Sequence, residues 1–157
     1  ANFFNGLYNY CNQNYEKALE YFVSSKSVAR SFRSGGTTGF MNAHYLLQTL
    51  DYLDQPYDEL LDEGFSIIKS NLGNGADSYT QHVQLSSLYL LSKENEKALD
   101  ELEKAVQSGL RDYSLLKDIS FNPIRNNDRF KLISSEIKIF IEREKLKFKE
   151  AGLIPSI

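Results

Sequence analysis

Glu16-Lys17-Ala18-Leu19 recurs letter for letter as Glu96-Lys97-Ala98-Leu99. Other matches fall into line around this pair. An offset of 42 sets Gln13, Tyr15, Glu16 and Leu19 against Gln55, Tyr57, Asp58 and Leu61. An offset of 38 sets His44, Leu47, Leu50 and Leu53 against His82, Leu85, Leu88 and Leu91, and carries Leu61-Asp62-Glu63 onto Leu99-Asp100-Glu101. Together the two offsets span the distance between the identical tetrapeptides, so the registers agree and define a threefold repeat.

Apolar residues within each copy lie three and four apart, and no segment sustains strand alternation. The chain therefore reads as all-α, with helices near 2–12, 15–33, 38–53, 56–71, 76–92, 94–108, 112–118 and 127–150. Each unit is a helix A, a tight turn and a helix B. Ser34-Gly35-Gly36 breaks the chain, and Thr37 or Thr38 is placed to cap the helix that follows. Pro56 suits the first turn of a helix, where its missing N–H costs nothing. Gly73 and Gly75 bracket a stop, Gly109 fits a left-handed position just past a helix end, and Gly152 and Pro155 close the last helix. Ala18 and Ala98 fall early in helix B, where a small side chain lets two helices approach closely. Phe22 and Leu102 follow one turn later.

At 157 residues the chain suits one domain, and 41% apolar with 25% charged residues excludes a disordered or membrane composition. No apolar run is long enough for a membrane span, and no charged-then-apolar leader opens the chain. The single cysteine excludes an intrachain disulfide and a paired-cysteine metal site, and two histidines leave little for a metal. One cysteine fits the cytoplasm without excluding a periplasm. The net charge is −3, with a late basic excess in Arg125, Arg129, Lys131, Lys138, Arg143, Lys145, Lys147 and Lys149. Glu142, Glu144 and Glu150 interleave with it, which reads as a solvated helix face rather than a nucleic-acid stripe.

Gly6, Tyr15, Ala18 and Phe22 lie at the spacing of a tetratricopeptide (TPR) repeat, and residues 1–110 resemble that family. The second copy has Leu60 in the small-residue place and Gly64 in the aromatic one; the third has Ser86 where the family often has Gly. Asp112, Leu115, Leu116, Asp118, Phe121, Ile124, Arg125, Arg129 and Phe130 are similar to the closing segment of many bacterial TPR regions. Such a cap covers the apolar face that a last repeat would leave exposed, and Phe130, Ile133, Ile137, Phe140, Ile141 and Phe148 supply a stripe at helical spacing for it.

No residue pattern in the chain points to an enzyme. His44 and His82 share a repeat position near the start of helix A, which packing explains before metal binding does. Cys11 has no neighbouring base and reads as a small buried hydrophobe. Asp58/Glu59 and Asp62/Glu63 sit early in a helix, where the dipole favours negative charge. Ser34-Gly35-Gly36-Thr37-Thr38-Gly39 lacks the Lys of a phosphate-binding loop and follows no strand. No catalytic, metal or cofactor residues are assigned.

The TPR resemblance implies ligand contacts along the concave face of the A helices: Phe3, Leu7 and Tyr10 in the first, Asn42, Tyr45 and Thr49 in the second, Thr80, Gln84 and Ser87 in the third. None is Lys or Arg, so the carboxylate clamp of the family's chaperone-binding subgroup is missing. A groove peptide would be held by stacking, apolar burial and backbone hydrogen bonds, weakly dependent on salt. Tyr10→Ala or Tyr45→Ala is then expected to abolish capture while leaving stability nearly unchanged. The expectation is a right-handed α-solenoid of three TPR-like pairs (about 1–34, 38–73 and 76–110) with a cap over 111–157. Its role is non-catalytic binding of a protein or peptide, with no nucleic acid and no membrane. A second reading makes it an oligomerisation or regulatory appendage of a longer signalling or hydrolytic protein, self-associating through its convex face or long C-terminal helix. The start at Ala1, without Met, fits a fragment.

Overall fold

In the computed structural model the described residues are 2–25, 37–75 and 78–153, with the backbone alone for 37–42. They form α1 (Asn2–Cys11), α2 (Tyr15–Ser24), α3 (Thr37–Tyr52), α4 (Asp58–Gly73), α5 (Tyr79–Leu91), α6 (Asn95–Gln107) and α7 (Asp128–Glu150). Two 3₁₀ turns, Leu115–Lys117 and Ile119–Ile124, stand between α6 and α7, and no strand occurs among the described residues. The helix expected over 15–33 is cut short: α2 ends at Ser24 and Ser25 turns extended (ψ 106°), its N–H on Phe22 O. Residues 26–36, with the Ser34-Gly35-Gly36 break, and the side chain of Asn42 lie outside the described residues.

The repeat is most legible in its turns. Each A helix ends in one left-handed residue, Gln13 (φ 59°), Asp54 (φ 51°) or Lys93 (φ 60°). At each end the same two bonds close the last turn: Gln13 N–H to Tyr10 O with Asn14 N–H to Asn9 O, Asp54 to Asp51 with Gln55 to Leu50, Lys93 to Leu90 with Glu94 to Tyr89. The B helices then start from Asn14, Tyr57 and Glu94. In the first and third copies the B-helix cap directly follows the left-handed residue; in the second, Gln55-Pro56 intervenes. One ungapped offset therefore cannot serve both helices of a pair. Pro56 accordingly precedes α4 instead of opening it.

This corrects four sequence assignments. Counted from the caps, Ala18 and Ala98 correspond to Leu61 and not Leu60, and all three N–H groups donate to the cap carbonyl four residues back. Phe22 and Leu102 correspond to Phe65, not Gly64. Counted from the left-handed residues, Gly6 corresponds to Leu47 and Ser86, the Ser86 assignment being as expected. His44 then matches Val83, and Ala43 matches His82, so the two histidines face different neighbours.

Side-chain size follows helix spacing. Gly6 of α1 lies under the Phe22 ring of α2, and small Ser86 and Ala98 serve α5 and α6; these two pairs pack closely along their lengths. Leu47 and Leu61 occupy the same places in α3 and α4, whose backbones come near each other at few points. Between pairs, α2 and α1 pack on α3, α3 and α4 on α5, and α6 on α7. Three buried clusters result. Tyr10, Ala18, Phe22, Tyr45 and Leu46 form the first; Ala43, Leu47, Leu61, Ile68, Leu85, Leu88 and Leu91 the second. The third joins Leu99, Leu102, Val106 and Leu110 to Leu116, Phe121, Ile124, Phe130, Ile133 and Ile137 of the closing segment.

The helix expected over 112–118 is replaced by the 3₁₀ turns. Asp112 takes hydrogen bonds from Ser114 N–H and Oγ, Asp118 turns extended (ψ 144°) and accepts from Ser120 N–H, and Pro123 interrupts further winding. Arg125 braces the turns by donating to the carbonyls of Lys117 and Asp118 and to Asn122 Oδ1. Gly109 (φ 101°) ends α6 as expected, with its N–H on Val106 O and Leu110 N–H on Ala105 O. Cys11 is exposed, not buried.

Candidate functional site

The face formed by α1, α3 and α5 is largely filled by the chain itself. Tyr10 projects from α1 and donates to Gln48 Oε1 of α3 at 2.7 Å. Tyr45 of α3 reaches the closing segment and donates to Asp118 Oδ2 at 2.6 Å, across 73 residues of sequence. The two rings meet edge to face at 5.3 Å, and Tyr15 stacks on Tyr52 at 4.5 Å. Burial raises both buried hydroxyls above the ordinary tyrosine range, with neighbouring tyrosines adding to the effect at Tyr10 and the Asp118 bond at Tyr45. Burial opposes the charge of Asp118, yet the Tyr45 hydroxyl, Ser120 and His44 outweigh it and hold the carboxyl below its usual range. His44, beside this carboxylate, is driven down to about 4 by burial, against the pull of Asp118 and Gln48. His44, Thr80, Val83, Ser87, Leu115, Asp118 and Phe121 are among the residues enclosing a cavity of about 50 Å³.

Of the nine expected groove residues, Tyr10, Tyr45, Thr49, Gln84 and Ser87 are buried. Phe3, Leu7 and Thr80 are half-buried. Tyr10 and Tyr45 are core residues, so the expected harmlessness of their truncation is corrected: each →Ala change removes ring packing and strands a polar partner. The reason is packing: Tyr10 lies among Tyr15, Tyr45 and Tyr52, and Tyr45 is tied to the closing segment through Asp118. His82 instead points at α6, its Nδ1 2.7 Å from Glu101 Oε2, while Lys104 donates to the other carboxylate oxygen.

Beside the filled region an open groove of about 530 Å³ remains, which the sequence reading missed. Gln48, Asp51 and Tyr52 line it from the end of α3, Leu90, Leu91, Lys93 and Asn95 from the α5–α6 turn, and Ile119, Asn122 and Pro123 from the closing segment. Tyr52 and Ile119 stand open to solvent. Asp51 is held by Tyr57, which donates to its Oδ1 at 2.9 Å, and burial ahead of that bond pushes the Tyr57 hydroxyl up to about 12. Tyr52 lies two turns beyond Tyr45 on the same face of α3; the closing segment takes the Tyr45 hydroxyl, whereas Tyr52, at the end of the helix, stays open. Among the described residues no group of three His, Cys, Asp or Glu side chains is placed to hold a metal, and no helix is long and apolar enough to cross a membrane. Set against known protein families, curated proteins and solved structures, the chain matches none of them.

Proposed function

We propose that this chain is a TPR-like α-solenoid whose role is non-catalytic binding of an extended peptide, in the groove between the ends of α3 and α5 and the 119–123 turn. The A helices touch in succession and the three A-to-B turns share one geometry, which supports the repeat reading. The single observation that carries the function is the groove itself: about 530 Å³ of open space with an apolar wall (Leu90, Leu91, Ile119, Pro123) facing amides and one ion of each sign. Such a surface suits an apolar peptide side chain flanked by backbone hydrogen bonds. Asp51 and Lys93 offset each other, so binding should depend weakly on salt.

The test is selection from a displayed random-peptide library, followed by amide-shift mapping of the best binder. Peptides that perturb Gln48, Tyr52, Lys93 and Asn122, and lose roughly tenfold or more in affinity with Ile119→Lys, support the reading. Ile119 is 40% exposed, so that variant keeps its fold. Binders mapping to other faces, or indifferent to Ile119→Lys, reject it.

A further inference from the structure

The last buried residue of α7 is Ile137, and beyond it the helix runs on for about 20 Å. Leu132, Ile139 and Leu146 recur every seven residues on one face and are 69%, 60% and 59% exposed. This stripe is separate from the Phe130–Ile133–Ile137 stripe that packs on α6. Glu136 and Arg143 lie on it between the apolar residues. Several charges on the helix are matched within the chain: Lys131 to Asp128, Lys145 to Glu142, Lys147 to Glu144, and Arg129 to Glu96, Asp100 and Glu103, while Lys138 stands over the Tyr113 ring. Among the described residues, Glu136 and Arg143 take part in no ion pair, nor do Lys149 and Glu150 at the helix end, but only Glu136 and Arg143 lie between the apolar residues of the stripe. The stripe borders a groove of about 780 Å³ between α6 and α7, edged also by Arg111 and Phe140.

We infer that α7 pairs antiparallel with α7 of a second copy of this chain, each Glu136 facing the other copy's Arg143. The heptad spacing supplies a helix–helix seam. The charge order supplies its direction: in a parallel pair Glu136 would meet Glu136 and Arg143 would meet Arg143, whereas the antiparallel pair makes two reciprocal attractions. The projecting end of one helix then lies along the other copy's α6–α7 groove, covering Leu132 and Ile139. Charges inside the seam make this a reversible dimer. The inference is independent of the peptide groove, which lies on a different face.

Sedimentation equilibrium from dilute solution to the solubility limit tests it, with circular dichroism confirming unchanged helicity. The wild type is expected to pass from 18.0 kDa toward twice that mass. Ile139→Lys should be monomeric throughout. Glu136→Arg and Arg143→Glu should each weaken association roughly tenfold, because both contacts become repulsive. An equimolar mixture of those two variants, or the double charge-swap chain, should recover it. A wild-type monomer at every concentration, single variants that associate as well as the wild type, or a mixture without recovery overturns the proposal.

Discussion

Gly6 shows how much one hydrogen atom in place of a methyl group decides. A Cβ there would sit 2.6 Å from Phe22 Cε1 and 2.7 Å from Cδ1. The ring cannot retreat, since it is fully buried, stacked near Tyr45 and held by Phe3. Helix propensity alone would favour alanine by about 1 kcal/mol. Overpacking outweighs it, and Gly6→Ala is expected to destabilise the chain by about 1–2 kcal/mol in urea unfolding. Gly73→Ala, with nothing within 4 Å of the new carbon, should be neutral or slightly stabilising. Equal effects at the two sites would contradict the packing argument. His44 sets a pH dependence. The unfolded chain protonates this imidazole near pH 6.5, the folded one only at about 4. Between those values the unfolded state binds more protons, so stability falls with acidification, on the order of 1 kcal/mol per pH unit. Asp118, depressed in the folded state, extends the loss at lower pH. Urea midpoints across this window should drop in the wild type and flatten in His44→Leu; an unchanged slope would assign the effect to other groups.

At the scale of elements, the three helix pairs are one motif tuned by residue size. Ala98 is fully buried in the close α5–α6 pair, and Leu61 takes its place in the open α3–α4 pair. Ala98→Leu should therefore cost about 1–3 kcal/mol through overpacking. Leu61→Ala should cost about 2–3 kcal/mol through a cavity. Calorimetry of both variants checks this, and tolerance of leucine at Ala98 would show that the pair is not size-limited. The Gln55-Pro56 insertion also explains why the sequence offsets of 42 and 38 blurred the register. Positive-φ residues give the true alignment, but Gln, Asp and Lys at those places carry no glycine signal for a reader to follow.

For the whole molecule, the closing segment is a structural partner of every preceding layer it reaches. Leu116, Phe121, Ile124, Phe130, Ile133 and Ile137 are each at least 96% buried. At about 2 kcal/mol for each such side chain, their burial compares with the roughly 5–15 kcal/mol that holds a domain folded. Removing 112–157 should leave a chain that binds a hydrophobic dye and melts without cooperativity; a sharp melt and no dye binding would make the segment dispensable. The all-helical character, the ends of α6 and α7 and the first half of the closing helix's apolar stripe (Phe130, Ile133 and Ile137) were legible in the amino-acid sequence, because each depends on neighbours within a few residues. Phe140 and Phe148, expected on the same stripe, are exposed, because no described element packs against that end of the helix. How far along the Tyr45 face of α3 the closing segment reaches was not legible. Tyr45 and Tyr52 are alike to a sequence reading, and they part company only where Asp118, 73 residues away, takes the Tyr45 hydroxyl and leaves Tyr52 open beside it. Local spacing specifies a helix and its faces; long-range packing alone chooses which part of a face is left for a partner.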